Sequence, residues 1–169
     1  LNATASPAAR IELAFGRIAV RMAGLPACNP ALRVEAVGLR PWQGRWLGVL
    51  VTPWTVSLLL LPGEAELRRL GPDERQGWRF PSGEYDFLGG DDEALGVFQS
   101  CSLFSPPVEF ADQDAARAVA LATLDALGEA ADNTAQQREA ARLQGRPAAP
   151  QPLSRRGFLT GGGLFSTPR

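Results

Sequence analysis

Ile11, Phe15, Ile18 and Met22 recur at spacings of four, three and four, which places them on one face of a helix. Ser6-Pro7 supplies the start, because serine can accept from the first free N–H groups and proline loses nothing at the first helical position. A helix over residues 7–23 is therefore predicted, and the segment GLPACNP ends it, since each proline pushes the residue before it out of the helical region. From Arg33 the period shortens. RVEAVGL and RWLGVLVT are apolar or β-branched runs joined by RPWQG, a hairpin connection, and TVSLLLL resumes after Pro53 interrupts the ladder. LGVLV is apolar without alternation, so its strand is expected to be covered on both faces.

Further along, EAELRRLG reads as a turn or two of helix. EYDFL alternates Tyr85 and Phe87 against Glu84 and Asp86 as a strand with one wet face, and VFQSCSLF runs back from a turn in GGDDEALG until Pro106-Pro107. A second helix is predicted over residues 112–128, capped by Asp112, with Asp114 at its positive end, Gly128 as terminator and a narrow face of Ala116, Ala120, Leu124 and Leu127. Residues 129–152 hold one large apolar side chain, Leu143, and finish in a proline-rich run, the composition of a linker or at most a solvated helix. The pattern predicts an α+β fold: an antiparallel sheet of about five strands flanked by an N-terminal and a C-terminal helix, with a flexible C-terminal tail. The boundaries are a domain at 1–128, a linker at 129–152 and a tail at 153–169.

A chain of 169 residues supports one core. Its 17 basic residues are all arginine, yet the net charge is −1, so the chain has no overall basic field for holding nucleic acid, and no such partner is expected. The absence of histidine removes the commonest general base and the commonest metal ligand. Cys101 stands among serines in SCSLFS, but with no histidine to activate a thiol or hydroxyl, catalysis is not expected, nor is any cofactor. Cys28 and Cys101 are far apart and form no C-x-x-C pair, which reads as two reduced thiols in a cytoplasmic protein. Arg10, Glu12, Arg17 and Arg21 break up the first apolar stretch, and no apolar run approaches the roughly 20 residues of a membrane span, so no membrane insertion is expected.

Two features suit binding. Glu84, Asp86, Asp91, Asp92 and Glu93 form either an ordinary solvated hairpin or a receptor for arginines, which carboxylates can hold through paired hydrogen bonds. Trp42, Trp46 and Trp54 fall so close together that at least one is expected to be an exposed anchor. Trp54 is the choice, because it adjoins Pro53, where a free strand edge could also receive a peptide.

The words GLPACNPALRVEAVG, GRWLGVLVTPWTVSLLLLPG, FPSGEYDF and CSLFSPPVEFADQDAARAVA, in that order over about residues 8–128, resemble the HybE/HupJ family of assembly chaperones for NiFe hydrogenases. The resemblance implies an accessory protein rather than a catalyst. It would hold a small or large subunit precursor of a membrane-bound uptake hydrogenase, notably the small subunit with its twin-arginine signal, until cofactors are installed. Carried over by position, the client-binding candidates are Thr52, Pro53 and Trp54; Phe80, Pro81, Ser82 and Gly83; and Cys101, Ser102, Leu103, Phe104, Ser105 and Pro106. Glu84 and Asp86 join them from the acidic hairpin. Some relatives are linked to a rubredoxin; this sequence has no rubredoxin cysteine quartet, so any such role would need a separate protein or a lost upstream segment. The alternative reading is a redox or iron–sulfur assembly scaffold using Cys101.

The tail motif Ser154, Arg155, Arg156, Gly157, Phe158, Leu159 has the order of a twin-arginine signal, but Thr160 and three glycines follow where an export signal needs an apolar run. It reads either as a partner-docking or unstructured tail that resembles the signal by chance, or as an imitation of the client's signal, able to fill the same site in cis if residues 129–152 form a flexible linker spanning about 27 Å.

Overall fold

The computed structural model describes residues 6–143, and the tail motif Ser154–Leu159 lies outside them. Helix α1 (Ala8–Met22) starts directly after Ser6-Pro7, with the Ala8 N–H directed at the Ser6 hydroxyl. Its inner face is led by Ile11 and Ala14, with Phe15 packed alongside, while Ile18 and Met22 are half-buried. Six strands follow: β1 (Glu35–Trp42), β2 (Arg45–Val51), β3 (Val56–Leu61), β4 (Arg75–Phe80), β5 (Gly83–Asp92) and β6 (Gly96–Phe104). Helix α2 (Gln113–Leu143) closes the described chain. The strands form one antiparallel sheet in the order β1-β2-β3-β6-β5-β4, two three-stranded meanders joined where β3 pairs with β6.

The helices lie on opposite faces of the sheet. Leu47, Val49 and Val51 of β2 turn toward the Ala116, Ala120, Leu124 and Leu127 face of α2, while Leu50 turns toward Ile11 and Ala14 of α1. The unbroken apolar run of β2 is thus covered on both sides, as its lack of alternation requires. The alanines of α2 allow a close approach to β1 at Gly38, where an added Cβ would stand 2.5 Å from Leu124 Cδ1. The β1–β2 connection is Gln43-Gly44 with φ values of 48° and 72°, the left-handed pair a two-residue hairpin favours.

Three sequence expectations are corrected. The sheet has six strands rather than about five, the additional one being β4, whose RQGWRF exposes arginines on one side and turns Trp78 and Phe80 inward. EAELRRLG is not helical; it crosses irregularly from β3 toward β4, held by Leu67 and Leu70 in the core. Gly128 does not end α2, which continues to Leu143.

β1 and β4 are the outermost strands, yet their side chains meet. The ring of Trp42 stacks on Phe80 with centroids 4.6 Å apart and meets Trp78 edge to face at 5.7 Å, while the Arg45 guanidinium lies over Trp78. The sheet therefore curls until its two ends touch through aromatic rings. Behind the rings Gln99 is fully buried, accepting from Trp78 Nε1 at 2.7 Å and donating to Gln76 Oε1 and the Arg68 carbonyl, both at 2.9 Å. Every polar atom of that side chain is used.

At the other end, Glu35 accepts from Arg117 Nε at 2.8 Å and from Gln113 Nε2 at 2.7 Å, fastening the start of α2 to β1. The hydrogen bond from Arg117 is the main cause holding the Glu35 carboxyl below its ordinary value.

Phe80→Ala should remove the centre of the aromatic closure and lower unfolding free energy by about 3–5 kcal/mol, with Phe80→Leu costing distinctly less, measured by urea denaturation. Because the folded-state pKa of Glu35 is depressed, its contribution is complete above the unfolded carboxylate value and disappears as pH falls through the lower folded value. Glu35→Gln should therefore flatten the loss of stability below about pH 4.3, seen by comparing unfolding midpoints across the acid range.

Candidate functional site

The β2–β3 turn is locked by one residue. Thr52 is fully buried, its hydroxyl donates to the Thr55 carbonyl at 2.7 Å and accepts from the Thr55 N–H at 3.0 Å. The Thr55 hydroxyl in turn donates to the Phe104 carbonyl at 3.1 Å and lies 3.4 Å from Ser102 Oγ. Pro53 and Trp54, between the threonines, are presented half-buried on a rigid base.

Asn29 joins that turn to two other segments. Its backbone N–H donates to the Pro53 carbonyl at 2.7 Å, its Nδ2 donates to the carbonyls of Pro107 at 3.0 Å and Phe110 at 2.8 Å, and its Oδ1 accepts from the Ala31 N–H. The loop after α1, the β2–β3 turn and the segment leading into α2 are thereby fixed around one side chain. Where the end of α1, the loop after it and Pro53 meet, a pocket of about 410 Å³ opens, its walls including Ala19, Ala23, Leu25, Cys28, Asn29 and Pro53. Leu25 is 48% exposed at its edge, and the Cys28 thiol is directed at the Met22 carbonyl, 3.4 Å away.

The segment that Asn29 holds carries exposed Val108, Glu109, Asp112 and Asp114. Asp112 caps α2 through the Ala115 N–H at 2.7 Å, and Asp114 pairs with Arg117. Arg17 and Arg21 are each two residues, about 200° of helical rotation, from pocket-lining positions on α1, so they point away from the pocket. The site is a largely apolar hollow, and the segment tied to it through Asn29 carries exposed carboxylates.

The sequence-predicted residues divide into separate groups. Thr52, Pro53 and Trp54 come together with Ser102 and Phe104 through the Thr55 hydroxyl, and Ser105 and Pro106 follow, exposed, at the end of β6. Cys101 and Leu103 turn into the α2-side core, Cys101 being 1% exposed. Phe80 belongs to the aromatic closure, Pro81 is exposed and Ser82 bonds the Tyr85 hydroxyl at 3.0 Å. With Gly83 they form the β4–β5 hairpin, which shares no hydrogen bond or ring contact with the Thr52–Thr55 turn.

Two expectations fail in detail. Trp54 is half-buried rather than fully exposed, and Pro53 has no free strand edge beside it, since β2 and β3 are both interior strands. The acidic hairpin is not one cluster: Glu84 pairs with Arg79 and Asp86 is exposed opposite Gly77, whereas Asp91 pairs with Arg69 and Asp92 accepts from the N–H groups of Ala94 and Leu95. The pocket residues Leu25, Cys28 and Asn29 were missed by sequence reasoning. The available signal was Asn29 as the one polar side chain between the two prolines of GLPACNP.

Among the described residues no three His, Cys, Asp or Glu side chains are grouped to hold a metal, and no helix is long and apolar enough to cross a membrane. The described chain is thus a curled antiparallel sheet flanked by two helices, with a largely apolar pocket beside Pro53. The sequence model of the family described as NiFe-hydrogenase assembly, chaperone, HybE matches residues 6–161, and the chain belongs to that family. It is 42% identical over 140 residues to the hydrogenase expression/formation protein HupJ of Bradyrhizobium diazoefficiens, covering 83% of this chain and 78% of that one. A probable rubredoxin HupJ of Rhodobacter capsulatus is 41% identical over 104 residues, which make up 59% of this chain and 37% of that protein. The solution structure of HybE from Escherichia coli superposes with a TM-score of 0.58 at 28% identity, over 72% of this chain and 76% of that one.

Asn29→Ala should leave the Pro107 and Phe110 carbonyls without their donors, at about 1–3 kcal/mol for each that stays buried. Thermal unfolding should register the loss, and Cys28 should react faster with a thiol reagent while Cys101 stays protected in the core.

Proposed function

We infer that this chain is an assembly chaperone that holds a precursor subunit of a membrane-bound uptake NiFe hydrogenase in the cytoplasm, and that the client is the small subunit bearing a twin-arginine signal. The observation that carries the reading is the largely apolar pocket beside Pro53, whose Asn29 also holds the Phe110 carbonyl of the segment that bears exposed Glu109, Asp112 and Asp114. A twin-arginine signal presents two guanidinium groups and then an apolar stretch. Carboxylates receive the first through charge-assisted hydrogen bonds, and the hollow, within the size range of small-ligand sites, takes side chains of the second. Pro53 and Trp54 stand at one wall, rigid before the client arrives, which reduces the ordering cost of binding.

A scaffold built on Cys101 finds less support, because that thiol lies inside the α2-side core and client access would require β6 to open. Cys28 and Cys101 are the two cysteines of this sequence, so a rubredoxin contribution would come from outside it.

The test is capture of the precursor small subunit, with and without its signal, by the full chain. Capture should depend on the signal and fall about tenfold in Leu25→Asp, equivalent to about 1.4 kcal/mol. Equal capture of both forms, or equal failure, would overturn the small-subunit reading, and recovery of the large subunit alone would move the client to that partner.

A further inference from the structure

Ser154-Arg155-Arg156-Gly157-Phe158-Leu159 repeats, in this chain's own sequence, the basic-then-apolar chemistry that suits the pocket beside Pro53. We propose that in the absence of client this pocket is occupied by that segment from a second copy of the chain, so that two copies exchange their C-terminal arms. The proposal rests on the pocket being the client site and adds how that site is kept covered.

The length of α2 decides which copy the segment can reach. Asn29 of the pocket holds the Phe110 carbonyl three residues before α2 begins, so the pocket stands at the N-terminal end of that helix. The side chains of α2 in the core run from Ala116 to Leu127, and the helix then continues to Leu143. At about 1.5 Å per residue its 31 residues carry the chain roughly 46 Å from the pocket end.

Phe158 lies fifteen residues beyond Leu143, and a stretch of that length spans at most about 50 Å when fully extended. Return to the chain's own pocket would demand an arm drawn nearly straight back along the helix. A flexible arm of the same length averages only about 21 Å, so the cis effective concentration falls far below the millimolar range of a matched linker. A second copy is under no such restriction. Two copies that each insert an arm fill both pockets through identical contacts, the closed two-fold arrangement common among soluble oligomers.

The contents match the hollow. Phe158 and Leu159 are the large apolar side chains next to the arginines, and a cavity of about 410 Å³ can accommodate such a pair. Arg155 and Arg156 precede them, and Glu109, Asp112 and Asp114 stand exposed on the segment whose Phe110 carbonyl Asn29 holds.

The full chain provides the test through light scattering. Wild type should have twice the mass of one chain, and two variants should halve it: Arg155→Glu/Arg156→Glu, which reverses the arm's charge, and Ala23→Arg, which fills the pocket from an exposed helix end. Cys28 provides a second readout, since it lies in the pocket while Cys101 is buried. In Phe158→Cys, oxidised glutathione should remove two hydrogens to join the new thiol to Cys28 of another copy, giving a covalent dimer that Cys28→Ser abolishes. A single-chain mass for wild type, a disulfide within one chain, or a dimer indifferent to both variants would overturn the exchange. Precursor capture by Arg155→Glu/Arg156→Glu separates the two readings: if it captures client while wild type is monomeric, only the exchange is lost.

Discussion

The stack of Trp42 on Phe80 spans the first and last strands of a sheet whose hydrogen bonds never join them. β1 and β4 remain the edges of the sheet in their backbone hydrogen bonding, and without that contact the inward rings of Trp78 and Phe80 would stand beside water. With it, the sheet becomes a trough, and the narrow Ala116–Leu127 face of α2 is thin enough to lie in that trough against β1 and β2. Gln99 supports the arrangement by accepting the Trp78 N–H, so a wholly buried amide serves to orient a ring. The polar network and the aromatic contact are one device: neither ring is fixed unless its neighbour's hydrogen-bonding group is satisfied.

The elements most legible in the sequence were those whose burial follows their own periodicity. α1 and the α2 face have helical spacing, and β2 has an unbroken apolar run because helices cover both its sides. β4 could not be read that way. In RQGWRF the inward positions Trp78 and Phe80 are separated and followed by charges, and only contact with Trp42, remote in sequence, makes them core. EAELRRLG failed for the opposite reason. Its local composition favours helix, but Leu67 and Leu70 gain more by anchoring an extended crossing between the two meanders.

The site was legible in part, and the division follows the same physics. Thr52, Pro53 and Trp54 stood out as an interruption between apolar runs, and the structure gives that interruption a purpose: Thr52 bonds both ways to Thr55 and makes the turn rigid. Asn29 could not have been assigned its role from its neighbours, because two of its partners are carbonyls about eighty residues away. The acidic hairpin misled because adjacency in sequence is not adjacency of function on a strand. Asp91 and Asp92 are committed to Arg69 and to a turn, and Glu84 to Arg79.

A pocket formed where a helix end, a loop and a turn meet needs them held, and this chain does so with hydrogen bonds. Asn29 supplies a backbone and two side-chain donors to three carbonyls, and nearby Gln113 and Arg117 hold Glu35 so that α2 leaves from a fixed point. The same fastening sets where the helix axis is aimed. Because α2 is anchored at its start and lies on the sheet through Leu127, its continuation to Leu143 carries the following residues away from the pocket instead of across it. Had Gly128 ended the helix, a linker of 24 residues could have folded back with ease. The length of α2 thus sets how far from the pocket the chain stands when the helix ends at Leu143.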